Sequence, residues 1–403
     1  MTTKAELLST VQRLRDALAA QARELDELTR IASLLDAPAP VDVQAPREMF
    51  YVTVPGNAVG RTLSKYAAGD PACAANLAQY MPGATTGVCY ATRAEAEAAA
   101  RGTAPPVGAR GGVLWGFYSD GDAENVAADA FVASTGKQAS VRGIYGMPPD
   151  DFWLEDAWAH GWTPWVQLWP SKSVDEVASG ALDADVRAWA ATFASWAARG
   201  RRAYILPMAE GNIPYNPYNG TATGYRNAFR RVRTIFEIEM EARFAPLSAA
   251  VWVFSPNGWA PPGREFEQYY PGADYVDQVC VSAYNFGGCP NPKGWSTFAD
   301  AIKPHLDRLN AMTGGSKPVW LDTGTVDVGG DKDAWLRDTF GQFAATPNAR
   351  GLIYYNILDK QPAQLANLPN CPGGADYRVA GWQGFKDAVS SPAYVYDAPI
   401  AGR

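Results

Sequence analysis

Only two histidines, His160 and His305, stand in 403 residues, and neither has a second His, a Cys or clustered carboxylates at ligand spacing. No metal site is therefore expected, and both read as surface or capping residues. The five cysteines (Cys73, Cys89, Cys280, Cys289, Cys371) contain no CxxC pair, which argues against a zinc ribbon and a dense disulfide framework. They leave room for one bridge, such as Cys280 or Cys289 to Cys371. Charge is sparse: Asp, Glu, Lys and Arg make up 19%, the net charge is −7, and no Lys/Arg block occurs. The basic footprint needed for a phosphate backbone is missing, which excludes nucleic acid as a partner. No apolar run approaches the roughly 20 residues of a membrane span, and the N-terminus lacks the basic, apolar and small-residue regions of a secretory signal. The expectation is a chain kept in the cytosol or released by another route. Internal repeats are absent, and low complexity is confined to Ala37-Pro38-Ala39-Pro40.

Aromatic residues, in contrast, are abundant: 14 Trp and 19 Tyr exceed what a core of this size needs and suit a sugar-binding cleft, where ring faces pack on pyranose C–H groups. At the N-terminus Leu7, Val11, Leu14, Leu18, Leu25, Leu28, Ala32 and Leu35 alternate steps of four and three around the polar Gln21. That seam predicts an oligomerising coiled-coil helix over residues 1–37, with Ala17, Ala22 and Ile31 widening the stripe toward a homotrimer. The competing reading is one amphipathic helix packed on the chain's own body. Residues 38–46 form a Pro/Ala linker. Residues 47–110 read as short strands with an Ala-rich helix at Arg93–Arg101, a small docking segment without a motif.

From residue 111 to 403 short apolar runs alternate with helical patterns, the rhythm of successive βα units. Eight strands are expected, at Val113–Tyr118, Ser140–Tyr145, Thr163–Trp169, Ala203–Met208, Ala249–Phe254, Gln278–Tyr284, Pro318–Asp322 and Gly351–Asn356. The fold class is thus α/β, a (β/α)8 barrel, whose chemistry belongs at the carboxyl ends of its strands. Those ends carry Tyr118-Ser119-Asp120, Trp165 with Trp169, Glu210 with Asn212, Ser255-Pro256-Asn257, Tyr284-Asn285, Asp322 and Tyr355-Asn356. Any one of the Trp residues serves equally well as barrel core. Asp120, Asp122 and Glu124 lack the glycine and terminal Glu of a calcium loop and read as solvated. Gly287-Gly288 and Gly329-Gly330 read as turns.

Several segments, in order, resemble glycoside hydrolase family 26, the β-mannanases. They are Ala178-Ser179-Gly180 with Asp183 and Trp189, Met208-Ala209-Glu210-Gly211-Asn212, and Tyr215-Asn216-Pro217-Tyr218. Farther on come Trp252 to Asn257, Tyr269 to Asp277, Lys317 to Leu321 and Gly329 to Leu336. The resemblance implies a retaining mechanism with two carboxyl groups about 5 to 5.5 Å apart. Glu210 would be the acid/base and Asp322 the nucleophile. Asn212, Tyr215, Tyr218, Trp165, Trp169, Trp252, Tyr284, Asn285 and Tyr355 would bind substrate, and no cofactor is implied.

The sequence departs from that family pattern at the chemistry. Ala209 stands where the family has His, Leu206 where it has Arg, and Thr323 where it has its nucleophilic Glu, so that Asp322 falls one residue early. Since side chains alternate across a strand, that slip predicts a carboxylate turned from the mouth unless the backbone bulges. The expectation is a barrel that binds envelope polysaccharide with weak or no hydrolysis, in a setting similar to minor tail proteins of phages that infect actinobacteria and hence in a virion. The alternative is an active retaining endo-glycosidase.

Overall fold

The computed structural model describes residues 112–119, 125–289, 294–359 and 374–397, together with three short strands nearer the N-terminus. Those three, Met49–Thr53, Leu63–Lys65 and Val88–Cys89, form an antiparallel sheet with Met49–Thr53 in the middle. The expected coiled coil at Leu7–Leu35, the linker, the helix at Arg93–Arg101 and the Asp120/Asp122/Glu124 loop lie outside the described residues.

All eight expected barrel strands form. They are β1 (Leu114–Ser119), β2 (Val141–Tyr145), β3 (Thr163–Leu168), β4 (Ala203–Pro207), β5 (Ala250–Phe254), β6 (Gln278–Ser282), β7 (Val319–Thr323) and β8 (Ala349–Asn356). Each pairs in parallel with the next, and β8 pairs with β1 to close the barrel. Parallel strands buried on both faces need apolar residues at every position, and β4 to β7 are buried throughout.

Alternation sorts these residues into two cores. Leu114, Val141, Trp165, Tyr204, Val253, Cys280, Trp320 and Ile353 fill the barrel interior. Phe117, Val166, Ile205, Trp252, Phe254, Val279, Leu321 and Leu352 face outward into the helix layer. That layer includes α1 (Asn125–Thr135), α2 (Asp151–Ala159), α3 (Val174–Ala178), α4 (Asp183–Ala197) and α5 (Ala222–Ala242). It continues with α6 (Phe298–Ala301), α7 (Lys303–Thr313), α8 (Lys332–Ala344) and α9 (Gln383–Ser390). Asp183 and Arg231 fix α4 to α5 with two hydrogen bonds of 2.7 Å. His160 caps the end of α2 and pairs with Asp129 at 3.0 Å.

Trp165, Tyr204 and Trp320 meet at the barrel's centre, with centroid separations of 4.6 to 5.3 Å. Large rings fit in so narrow a tube only where a neighbour has no side chain. A Cβ on Gly351 would stand 2.2 Å from the Trp320 ring, and one on Gly143 1.9 Å from Tyr118. Cys280 is a free thiol buried in this interior, which removes it from the expected bridge; Cys289 is the disulfide-bonded one. Among the described residues no helix is long and apolar enough to cross a membrane.

Candidate active site at the barrel mouth

Strand β4 delivers Glu210 through a tight backbone. Met208 and Glu210 both take left-handed conformations, φ 51° and 58°, a region non-glycine residues enter at a cost. The surroundings hold them there. The Glu210 N–H donates to the Ser255 carbonyl at 2.7 Å, the Asn216 amide donates to the Glu210 carbonyl at 2.9 Å, and the Tyr218 hydroxyl donates to the carbonyl of Ala209. Gly211 follows because a Cβ there would meet Tyr225 at 2.4 Å. The Glu210 side chain is half-buried. Burial raises its pKa, offset in part by the nearby polar side chains of Ser282 and Asn257, so the protonated form survives to higher pH than for a free glutamate.

Asp322 corrects the expectation drawn from its one-residue slip. In register with β6, Trp320 lies beside Cys280 and Asp322 beside Ser282, all on the inward face. It is Thr323 that turns away, donating its hydroxyl to the Ala283 carbonyl at 2.6 Å. A shift in the pairing of β7 with β8 falls between Val319 and Trp320, just ahead of this inward pair. Asp322 is only 2% exposed. Tyr284 donates to its Oδ1 at 2.8 Å and Tyr118 to its Oδ2 at 3.4 Å.

Behind Tyr118 runs a relay of donors: Trp169 Nε1 to Gln167 Oε1 at 3.2 Å, then Gln167 Nε2 to the Tyr118 hydroxyl at 2.5 Å. Burial, and next the facing Glu210 charge, push the Asp322 carboxyl well above the usual carboxylate range, while the two tyrosine hydroxyls pull it back. Two carboxyl groups that feel each other in a site of low polarity tend to share one proton between them. Glu210 and Asp322 are thus brought together by strands distant in the chain.

Around them the rings form an arc. Tyr218 touches Trp169, Trp169 touches Tyr145, Tyr145 stacks on Tyr118, and Tyr118 meets Tyr355, with centroids 5.3 to 5.9 Å apart. Tyr355 continues to Tyr284 and Tyr377. Of the expected binding residues, Trp169, Tyr284 and Tyr355 therefore do stand at the mouth.

The others are placed differently. Trp165 is fully buried in the barrel interior below the mouth. Trp252 faces outward, edge-on to Phe236 at 5.4 Å. Asn212 is spent on structure: its amide donates to the Asn257 carbonyl at 2.8 Å and its oxygen accepts the Asn257 N–H at 2.9 Å. Asn285 is likewise consumed by Thr325, Gly287 and Ser296. Tyr218 is sealed under the β4 loop, and Tyr215 projects from that loop into solvent. None of Trp165, Trp252, Asn212 and Asn285 has a side chain free to meet a sugar, because each satisfies its own packing or hydrogen bonding.

No family model matches the chain. A curated relative, Endoglucanase H of Acetivibrio thermocellus, is 24% identical over 197 residues, which is 46% of this chain and 20% of that protein. The chain thus matches only about a fifth of that relative's length. Among solved structures, it is similar to a GH26 β-mannanase from Bacteroides ovatus, at 15% identity and a TM-score of 0.47, over 71% of this chain and 91% of that one. A GH26 endo-β-1,4-mannanase catalytic domain from Bacillus sp. JAMB-750 gives 14% identity and a TM-score of 0.48, over 72% and 89%.

Tyr145, Gln167 and Tyr377 were not singled out from the sequence. Tyr145 and Gln167 follow from alternation counted along β2 and β3, on the inward phase shared with Val141 and Trp165. Tyr377 comes from the segment after β8 and had no such signal. Among the described residues no three His, Cys, Asp or Glu side chains gather as a metal site. His305 is half-buried beside Gly258.

Proposed function

We propose that the chain is a retaining endo-glycosidase acting on a β-linked polysaccharide, with Glu210 as acid/base and Asp322 as nucleophile. The observation that carries this reading is the inward placement of Asp322, bonded by Tyr284 at 2.8 Å and sensing the charge of Glu210. Asp322 attacks the anomeric carbon while Glu210 gives its proton to the departing glycosidic oxygen, leaving a glycosyl ester on Asp322. Glu210, now ionised, takes a proton from water as that water attacks the same carbon, and Asp322 is freed. The raised pKa of Glu210 suits the first step; Asp322, itself raised by burial and by the Glu210 charge, attacks in the form in which the shared proton rests on Glu210, a form that the Tyr118 and Tyr284 hydroxyls favour. Similarity to Endoglucanase H and to β-mannanases is in keeping with a polysaccharide substrate.

A second reading, binding of envelope glycan with little turnover, draws on Ala209 and Leu206. Both pack inside the barrel where the resembled family carries His and Arg, so Glu210 has fewer partners to orient it. The homotrimeric stalk at Leu7–Leu35, tail-protein partners and a virion setting belong to this second reading, where avidity compensates for weak sites. Release of reducing ends from mannans, β-glucans and purified actinobacterial wall polysaccharide separates the two. Turnover that disappears in Glu210→Gln supports the enzyme; binding without turnover, retained in Glu210→Gln, supports the adhesin.

A further inference from the structure

Two of the most exposed aromatic side chains stand together at the rim. Tyr215, five positions after Glu210 in the loop following β4, is 76% exposed, and Trp259, in the loop following β5, is 55% exposed. Their rings are parallel to within 3°, with centroids 6.4 Å apart. A lone exposed ring is ordinary, whereas two aligned ones on separate loops need a cause.

The two loops are locked to each other. Asn212 and Asn257 exchange hydrogen bonds. Arg264 Nε donates to the Asn212 carbonyl at 2.9 Å and Arg264 Nη2 to Asn219 Oδ1 at 2.6 Å. The Trp259 N–H donates to Asn257 Oδ1 at 2.9 Å, and the Gly258 N–H to the Ser282 carbonyl at 2.9 Å. The same loop that aims Glu210 therefore also aims Tyr215, and the backbone next to Trp259 is tied to Ser282 on β6. Ring placement and carboxylate placement are mechanically continuous.

Resting on the proposed function, we infer that Tyr215 and Trp259 form an outlying subsite for a further sugar unit of the same polysaccharide chain whose scissile bond lies at Glu210 and Asp322. The separation of the rings is on the scale of a single pyranose. Their faces would pack on the C–H side of a sugar, leaving its hydroxyls in water. The occupant is a neutral glycan chain, so the site favours long substrates over short ones.

The test uses the full chain carrying Glu210→Gln, titrated calorimetrically with manno- and cello-oligosaccharides from disaccharide to hexasaccharide. Affinity should climb with length, and adding Trp259→Ala or Tyr215→Ala should remove the climb, roughly a tenfold loss for the longest chain at ~1.4 kcal/mol per decade. The shortest binding chain should lose little, and Trp259→Phe should recover most of the gain. Equal length dependence with and without Trp259 overturns the subsite while leaving sugar binding at the mouth intact. No binding of any oligosaccharide by the parent overturns the proposed function and the subsite with it. Unchanged sugar affinity with altered self-association in sedimentation assigns the rings to a second copy of the chain and also overturns the subsite.

Discussion

The barrel floor and the barrel mouth are made of the same kinds of residue, yet they do different things. At the floor Trp165, Tyr204 and Trp320 are packed ring to ring, and the Trp320 indole nitrogen donates to Gln278 at 2.5 Å within the core. A pleat higher, Tyr118, Tyr145, Trp169, Tyr284 and Tyr355 form the arc around Asp322, with Tyr145 and Trp169 reaching solvent. Trp169, four positions on from the fully buried Trp165 and just past the end of β3, reaches solvent. At the mouth, the Tyr118 and Tyr284 hydroxyls are turned onto the Asp322 carboxylate, which no floor ring does.

Asp322→Asn tests this contrast with the largest effect. Loss of the attacking carboxylate should lower turnover about ten-thousandfold or more, measured as reducing-end release. Stability should move the other way. Because the folded-state pKa of Asp322 is raised, the wild type loses stability as pH rises through that value. The Asn variant should escape that loss, with a higher Tm at neutral pH and a flatter Tm profile against pH. A fall in Tm at neutral pH would mean that Asp322 belongs to the structural layer after all.

Glu210→Gln comes next, with a loss of roughly a hundredfold to ten-thousandfold in turnover and little change in Tm. In the wild type, the alkaline limb of the turnover profile should lie above the ordinary glutamate range, since burial keeps the proton on Glu210 and turnover falls as it leaves. A limb at the ordinary value would remove Glu210 from the acid role.

The floor gives the reverse pattern. Trp165→Ala should cost ~3–5 kcal/mol by chemical denaturation, with sugar affinity of the surviving folded fraction unchanged. A specific loss of affinity at full stability would move Trp165 from the floor to the cleft.

Smallest is Asn212→Ala, which leaves the Asn257 N–H and carbonyl unanswered at ~1–3 kcal/mol. Affinity for the longest oligosaccharide should fall with it, through loosening of the loop that carries Tyr215. If affinity for the disaccharide falls more, Asn212 is itself a ligand.

The sequence alone determined the strands. Hydrophobic runs at βα spacing located all eight, because a closed parallel barrel needs buried segments at that rhythm. It also determined that Glu210 would stand at a strand end, since that position follows directly from the end of β4. Tertiary structure alone decided which side of each strand faced the mouth. A period of two fixes that neighbours alternate, leaving open which set looks inward. For Asp322, Trp165 and Trp252 that choice came from pairing across the sheet, and for Asn212 from a partner 45 residues away. Such contacts connect residues far apart in the chain, and no local pattern records them.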